Sequence, residues 1–198
     1  MFDKIQLDAE KRHKFKAYIG LNSSWFHYYS HYKSAIDYIV GGIENHLPVN
    51  TVAPSLLFLV RHCLELGFKA NILKLETVNL KVPRLVLKGG KSHNLEYLYN
   101  TLAAHLRHIQ ESNFMTPEFQ DTVENYLAIS EKLKDILHEL DRSSYSFRYP
   151  EDTNGTMNFK SDAEVNIADI LEVFYSLQPF LIFCEGIFDE LGILDSSK

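Results

Sequence analysis

Apolar residues recur along most of this chain at the three-to-four-residue interval of an α-helix. Residues 11–46 read as helix with a break at Gly20–Asn22, along Trp25, Tyr28, Tyr29, Tyr32, Ile36 and Ile39. Gly41–Gly42 and the segment "HLPVN" (46–50) end it. Thr51 is the expected N-cap of a second helix, with Pro54 in the first turn, where a missing N–H costs nothing. That helix runs to about Glu76 and is apolar nearly all the way round.

Residues 77–92, "TVNLKVPRLVLKGGKS", do not continue the pattern. Their valines, Pro83 and Gly89–Gly90 predict an extended crossover with a strand-like piece at 84–88. Ser92 is the expected N-cap for 93–109, with Leu95, Leu98, Leu102 and Leu106 as its stripe. Thr116, Pro117 and Glu118 open the next helix, which reaches about Leu140 along Phe119, Val123, Tyr126, Leu127, Leu133 and Leu137. Asn154–Gly155, between aromatic-containing pieces, is a hairpin signal within 145–160. Asp162 then leads a last helix over 163–191, bent at Pro179, with Ile167, Ile170, Leu171, Phe174, Leu177, Leu181 and Phe188 inward. No repeat or long linker divides the chain. The expectation is a mainly α fold: one domain over 1–198, an antiparallel bundle of five to six helices with one small β-hairpin.

Four ionisable residues interrupt the apolar second helix: Arg61, His62, Glu65 and Lys69. At about 100° per residue, Arg61, Glu65 and Lys69 fall within roughly 80° of one another, with His62 towards the same side. They form a stripe. One reading is a solvated edge, where Glu65 four residues before Lys69 is worth about 0.2–0.5 kcal/mol. The other is a partly buried network, which requires partners because an unpaired buried charge costs several kcal/mol. Two loops offer them: "KSHNL" (91–95), with His93 at a helix start, and "DRSSYSFRYPED" (141–152), with Arg142, Arg148, Tyr149, Glu151 and Asp152.

"RHCLELGFKANI", "KSHNLEYLY" and "DRSSYSFRYPEDTNG", in that order, resemble bacterial helical proteins of the HEPN type over roughly residues 50–185. The resemblance implies an up-and-down bundle, often a homodimer, and in many members a metal-independent ribonuclease of toxin–antitoxin or phage-defence systems. There an Arg stabilises phosphate and a His, with four to six residues between them, does acid–base work on the ribose 2′-hydroxyl. This sequence departs from that signature, because none of its nine histidines follows an Arg at that interval. The expected site is therefore composite. His62 and His93 are its acid–base candidates and Glu65 the orienting carboxylate. Arg61, Lys69 and Arg148 are phosphate binders, and Asp152 and Tyr149 belong to a supporting network. On this reading the expected ligand is RNA or a nucleotide. The competing reading is a non-catalytic, dimeric interaction module whose polar seam is structural and which docks a partner protein. "WFHYYSHY" (25–32), rich in rings suited to core or interface, favours it.

The net charge of −6 supplies no global field for nucleic acid or anionic lipid, so nucleic-acid contact requires a local patch. No run of about 18 uninterrupted apolar residues suggests a membrane span, and the charged N-terminus lacks an apolar signal-peptide core. Cys63 and Cys184 read as buried thiols of a reducing compartment, and a cytoplasmic protein is the expectation. His27 and His31, four apart, lack the Glu and third ligand of a zinc motif, and His105 and His108 are weaker still. No metal and no cofactor is expected. A Walker loop, a GxSxG elbow, a CxxC pair and a dinucleotide fingerprint are all absent from the sequence.

Overall fold

The computed structural model describes residues 16–17, 24–77, 82–111, 117–140, 147–160 and 164–182, without the side chains of 119, 126, 130 and 133–140. Among these residues the fold is mainly helical: α1 (Trp25–Glu44), α2 (Val49–Leu75), α3 (Leu95–Glu111), α4 (Pro117–Leu140) and α5 (Ile167–Leu181). A short 3-10 turn, Gly90–His93, precedes α3. The remaining helical residues expected at 11–15, 18–23 and 183–191 lie outside the described residues. So do Thr116, Arg142, Asp162, Cys184, Phe188 and the side chains of Phe119, Tyr126, Leu133 and Leu137.

Ser24 caps α1, its Oγ accepting from the His27 N–H at 3.2 Å. At the other end His46 turns the chain at φ 75° and Leu47 N–H donates to the Gly42 carbonyl at 2.9 Å. α2 is the central helix. It packs against α1, α3 and α5, while α4 packs against α3 and α5. Ile36 of α1, Leu56, Leu64 and Ile72 of α2, Leu98 of α3, Val123 of α4 and Phe174 of α5 are fully buried in one apolar cluster. Burial of such side chains contributes about 1.5–3 kcal/mol each relative to exposure. By length and composition α2 could cross a bilayer, and it is the one such helix among the described residues. Here more than half of that apolar stretch is buried against protein.

Two contacts fix how closely the helices approach. A methyl group on Gly67 would stand 3.0 Å from Leu181 Cδ1 and 3.2 Å from the Tyr29 ring, so α1 and α5 close on α2 where it carries no side chain. One turn further, the buried Asn71 amide donates to the Leu181 carbonyl at 2.7 Å and to its own Gly67 carbonyl at 2.6 Å. It supplies a donor at the C-terminal end of α5, where carbonyls lack helical partners.

Several boundaries differ from the sequence reading. Residues 16–17 are not helical. α2 begins two residues before Thr51, and the Thr51 hydroxyl donates back to the Pro48 carbonyl from within the first turn. Pro54 therefore sits at the sixth helical position and removes the N–H that would bond the Asn50 carbonyl. Ser92 does not cap α3. It is buried in the 3-10 turn, bonded to the Gly89 carbonyl at 2.7 Å, and Asn94 takes the cap by accepting from the Tyr97 N–H. α5 starts at Ile167, capped by Asn166, and residues 164–166 are non-helical. The asparagines are as able to cap as the serine and aspartate favoured by the sequence reading, and tertiary position selects among them.

Residues 83–87 form no strand. Leu85 is buried, and its N–H donates to the Glu76 carboxylate. Around Asn154–Gly155 the chain makes one antiparallel bridge, Glu151–Met157. The turn inside it is closed by Asp152 N–H to Thr156 O at 2.8 Å, with Gly155 at φ 76°.

Candidate functional site

Arg61, Glu65 and Lys69 lie one turn apart on α2, and that periodicity stacks them on one line. They sit inside the fold: 3%, 2% and 4% exposed respectively. Glu65 is the hub. Its Oε2 accepts from Arg61 Nη1 at 3.1 Å and its Oε1 accepts from Lys69 Nζ at 2.7 Å. Burial on its own raises the Glu65 carboxyl, but the hydrogen bond and charge of Lys69, then Arg61, then His93, outweigh it. The net direction is down, and the group is an anion near neutral pH.

The third donor comes from the turn before α3. Gly89, at φ 95°, opens the 3-10 turn, and the turn ends on His93. Arg61 Nη2 donates to the His93 carbonyl, and Glu65 Oε1 bonds His93 Nδ1 at 2.8 Å. A carboxylate can only accept, so Nδ1 carries the proton and the neutral ring has its lone pair on Nε2. The His93 side chain is 56% exposed, although the carboxylate behind it is buried. The result is a carboxylate–histidine pair at the surface of a buried ionic line. Arg61 holds its backbone and Glu65 holds its ring.

His62 occupies a different setting. Its ring packs edge-on to Tyr32 at 4.6 Å between centroids and stacks on Phe58 at 5.8 Å. Its Nδ1 is 4.0 Å from Glu65 Oε2. Burial lowers its pKa, Glu65 pulls it up, and Arg61, Lys69 and Arg148 push it down, with a net lowering. Arg148 is exposed, and its guanidinium lies over the other partner of that stack, 5.5 Å from the Phe58 centroid. Lys69 has an aromatic neighbour too, with Nζ 5.6 Å from the Trp25 centroid.

The structure thus brings together Arg61, Glu65, Lys69 and His93, with His62 at the edge and Arg148 reaching the same neighbourhood through Phe58. Asp152 accepts on Oδ1 from the Asn154 and Thr156 N–H groups of its own turn. Tyr149 is exposed, and its carbonyl accepts from Asn158 in that same loop. Sequence reasoning missed the aromatic flank of Trp25, Tyr32 and Phe58. Trp25 and Tyr32 lie in a stretch read only as core or interface, and Phe58 lies in a helix read as apolar nearly all the way round. The available signal was Phe58 to His62, an aromatic pair at helical i, i+4 spacing. Among the described residues, no three His, Cys, Asp or Glu side chains are grouped as metal ligands. Comparison with protein-family models, curated proteins and solved structures finds no match.

Proposed function

We propose that this chain is a HEPN-like protein of antiparallel-bundle architecture that acts on RNA or a nucleotide without metal, with His93 as the proton-transfer group. The observation that carries the reading is the 2.8 Å bond from His93 Nδ1 to buried Glu65, with the ring open to solvent. That bond fixes the tautomer and aims Nε2 outward, the arrangement a general base needs. In such a step Nε2 takes the ribose 2′-hydroxyl proton as the oxygen bonds to phosphorus. The P–O5′ bond breaks, and the departing oxygen takes a proton from solvent.

Arg61 and Lys69 flank the Glu65 carboxylate beneath His93 and support the site from behind. Exposed Arg148 is the direct phosphate contact, a local cation on a chain whose overall charge is −6. A toxin or defence role in the cytoplasm fits such chemistry. The test is cleavage of end-labelled RNA by purified protein in EDTA. His93→Ala should abolish turnover, and Arg148→Ala should weaken it through KM. Activity that survives both His93→Ala and His62→Ala rejects the site.

A second reading has its own support: every Glu65 bond is internal and both cations are buried. On that reading the seam is a structural clamp, and the protein is a dimeric interaction module that engages a partner protein. It requires no RNA turnover and a dimer in light scattering, and a monomer at micromolar concentration removes it.

A further inference from the structure

The aromatic ring beside the ionic line has no part in the proton transfer just described. Trp25 is the first residue of α1, held there by the Ser24 cap, and it remains 39% exposed. Lys69 Nζ lies over its ring at 5.6 Å, and the same ammonium donates at 2.7 Å to the Glu65 oxygen that binds His93. One buried cation therefore links the indole to the carboxylate–histidine pair. Part of the indole is open to solvent, and it stands beside the ionic line that carries His93.

We propose that Trp25 is a stacking platform for one base of single-stranded RNA, with the adjoining phosphate lying towards His93 and Arg148. The proposal rests on the RNA-directed reading above and names the form of the substrate. A duplex keeps its bases stacked on one another and cannot offer a face to the indole. An unpaired base can, and ring stacking tolerates any base. The Lys69 ammonium over the ring helps to hold the indole in place beside the ionic line.

Trp25 is the sole tryptophan of the chain, so intrinsic emission reports on this position alone. The full chain is titrated with a short oligouridylate, its duplex with oligoadenylate, and inorganic polyphosphate. Anisotropy of end-labelled RNA is read on separate samples. The expected result is emission quenched by the single strand with the Kd that anisotropy gives, and no quenching by duplex or polyphosphate. Trp25→Leu should weaken binding by about ten- to a hundredfold, and Trp25→Phe should restore most of it.

Binding with unchanged emission and a normal Kd in Trp25→Leu overturns the platform but leaves the His93 chemistry standing. Quenching and Trp25-dependent binding in a protein whose cleavage ignores His93→Ala supports the platform and removes that chemistry. Equal quenching by polyphosphate, or no binding of single-stranded RNA, overturns the platform.

Discussion

Replacing Glu65 by Gln changes one oxygen to an amide group and removes one charge, at a position 2% exposed. Arg61 and Lys69 lose the carboxylate they share without gaining access to water. At an effective dielectric of about 20, a charge pair some 3 Å apart has a gross attraction on the order of 5 kcal/mol. Desolvation has already consumed much of that, so the pair's net worth is small, yet removing one partner strands the other. Breaking a buried pair in this way costs about 3–5 kcal/mol. Gln offers one acceptor oxygen where Arg61, Lys69 and His93 now share two, and its NH₂ points donors at donors. The expected loss is therefore about 3–5 kcal/mol, or roughly 6–20 °C in Tm for a chain of this size. Urea titration followed by far-UV circular dichroism measures it as a lower midpoint at unchanged slope. The acid limb should change as well. The Glu65 carboxyl is depressed in the folded state, so its stabilisation is present above the ordinary carboxylate range and is lost as pH falls through its folded value. Glu65→Gln lacks that part of the acid slope. The triple replacement Arg61→Met, Glu65→Leu, Lys69→Met removes all three charges together and should lie within about 1 kcal/mol of wild type, or above it. A Glu65→Gln loss below about 1 kcal/mol, or a triple variant as unstable as the single one, refutes this account of the line.

Acid should also weaken the fold through histidine. His62 and buried His105 both have lowered pKa values, chiefly from burial, so the unfolded chain binds more protons just below the ordinary histidine value of about 6.5. Stability is complete above that value and declines as pH drops towards the folded ones. The urea midpoint should fall between pH 7.5 and 5.5, less so in His62→Gln, and a flat wild-type profile contradicts it. Asn71→Leu should cost about 1–3 kcal/mol by leaving the Leu181 carbonyl without this donor, and a thermal midpoint equal to wild type would show the bond to be dispensable.

How far the sequence reveals this arrangement can be followed residue by residue. Arg61, Glu65 and Lys69 stand at helical intervals on an otherwise apolar helix, and the cost of an unpaired charge in such a place demands a partner. Periodicity with electrostatics offered two loops, 91–95 and 141–152, and could not choose between them; the bond to Glu65 comes from His93 of the first. The depth of the cluster was not legible. Whether a polar stripe faces water depends on which helices close over it, and that is set by contacts such as Gly67 against Leu181 and Tyr29. The caps at Asn94 and Asn166 eluded the reading because a nearby serine or aspartate is an equally good local candidate, and only packing discriminates. Trp25 against Lys69 joins positions 44 residues apart in sequence, and no local pattern carries such a pair.

Cys63 sits on α2 under α1, fully buried, with its sulfur 3.6 Å from the Tyr29 carbonyl. Burial pushes its thiol up to about 12, with Lys33 pulling the other way. Only the thiolate attacks an alkylating reagent, so in the closed molecule this sulfur is chemically silent. Its modification must wait until α1 lifts away from α2. With Cys184 replaced, the rate of labelling at position 63 becomes a clock for the opening of that helix pair, the one that carries both Trp25 and Glu65.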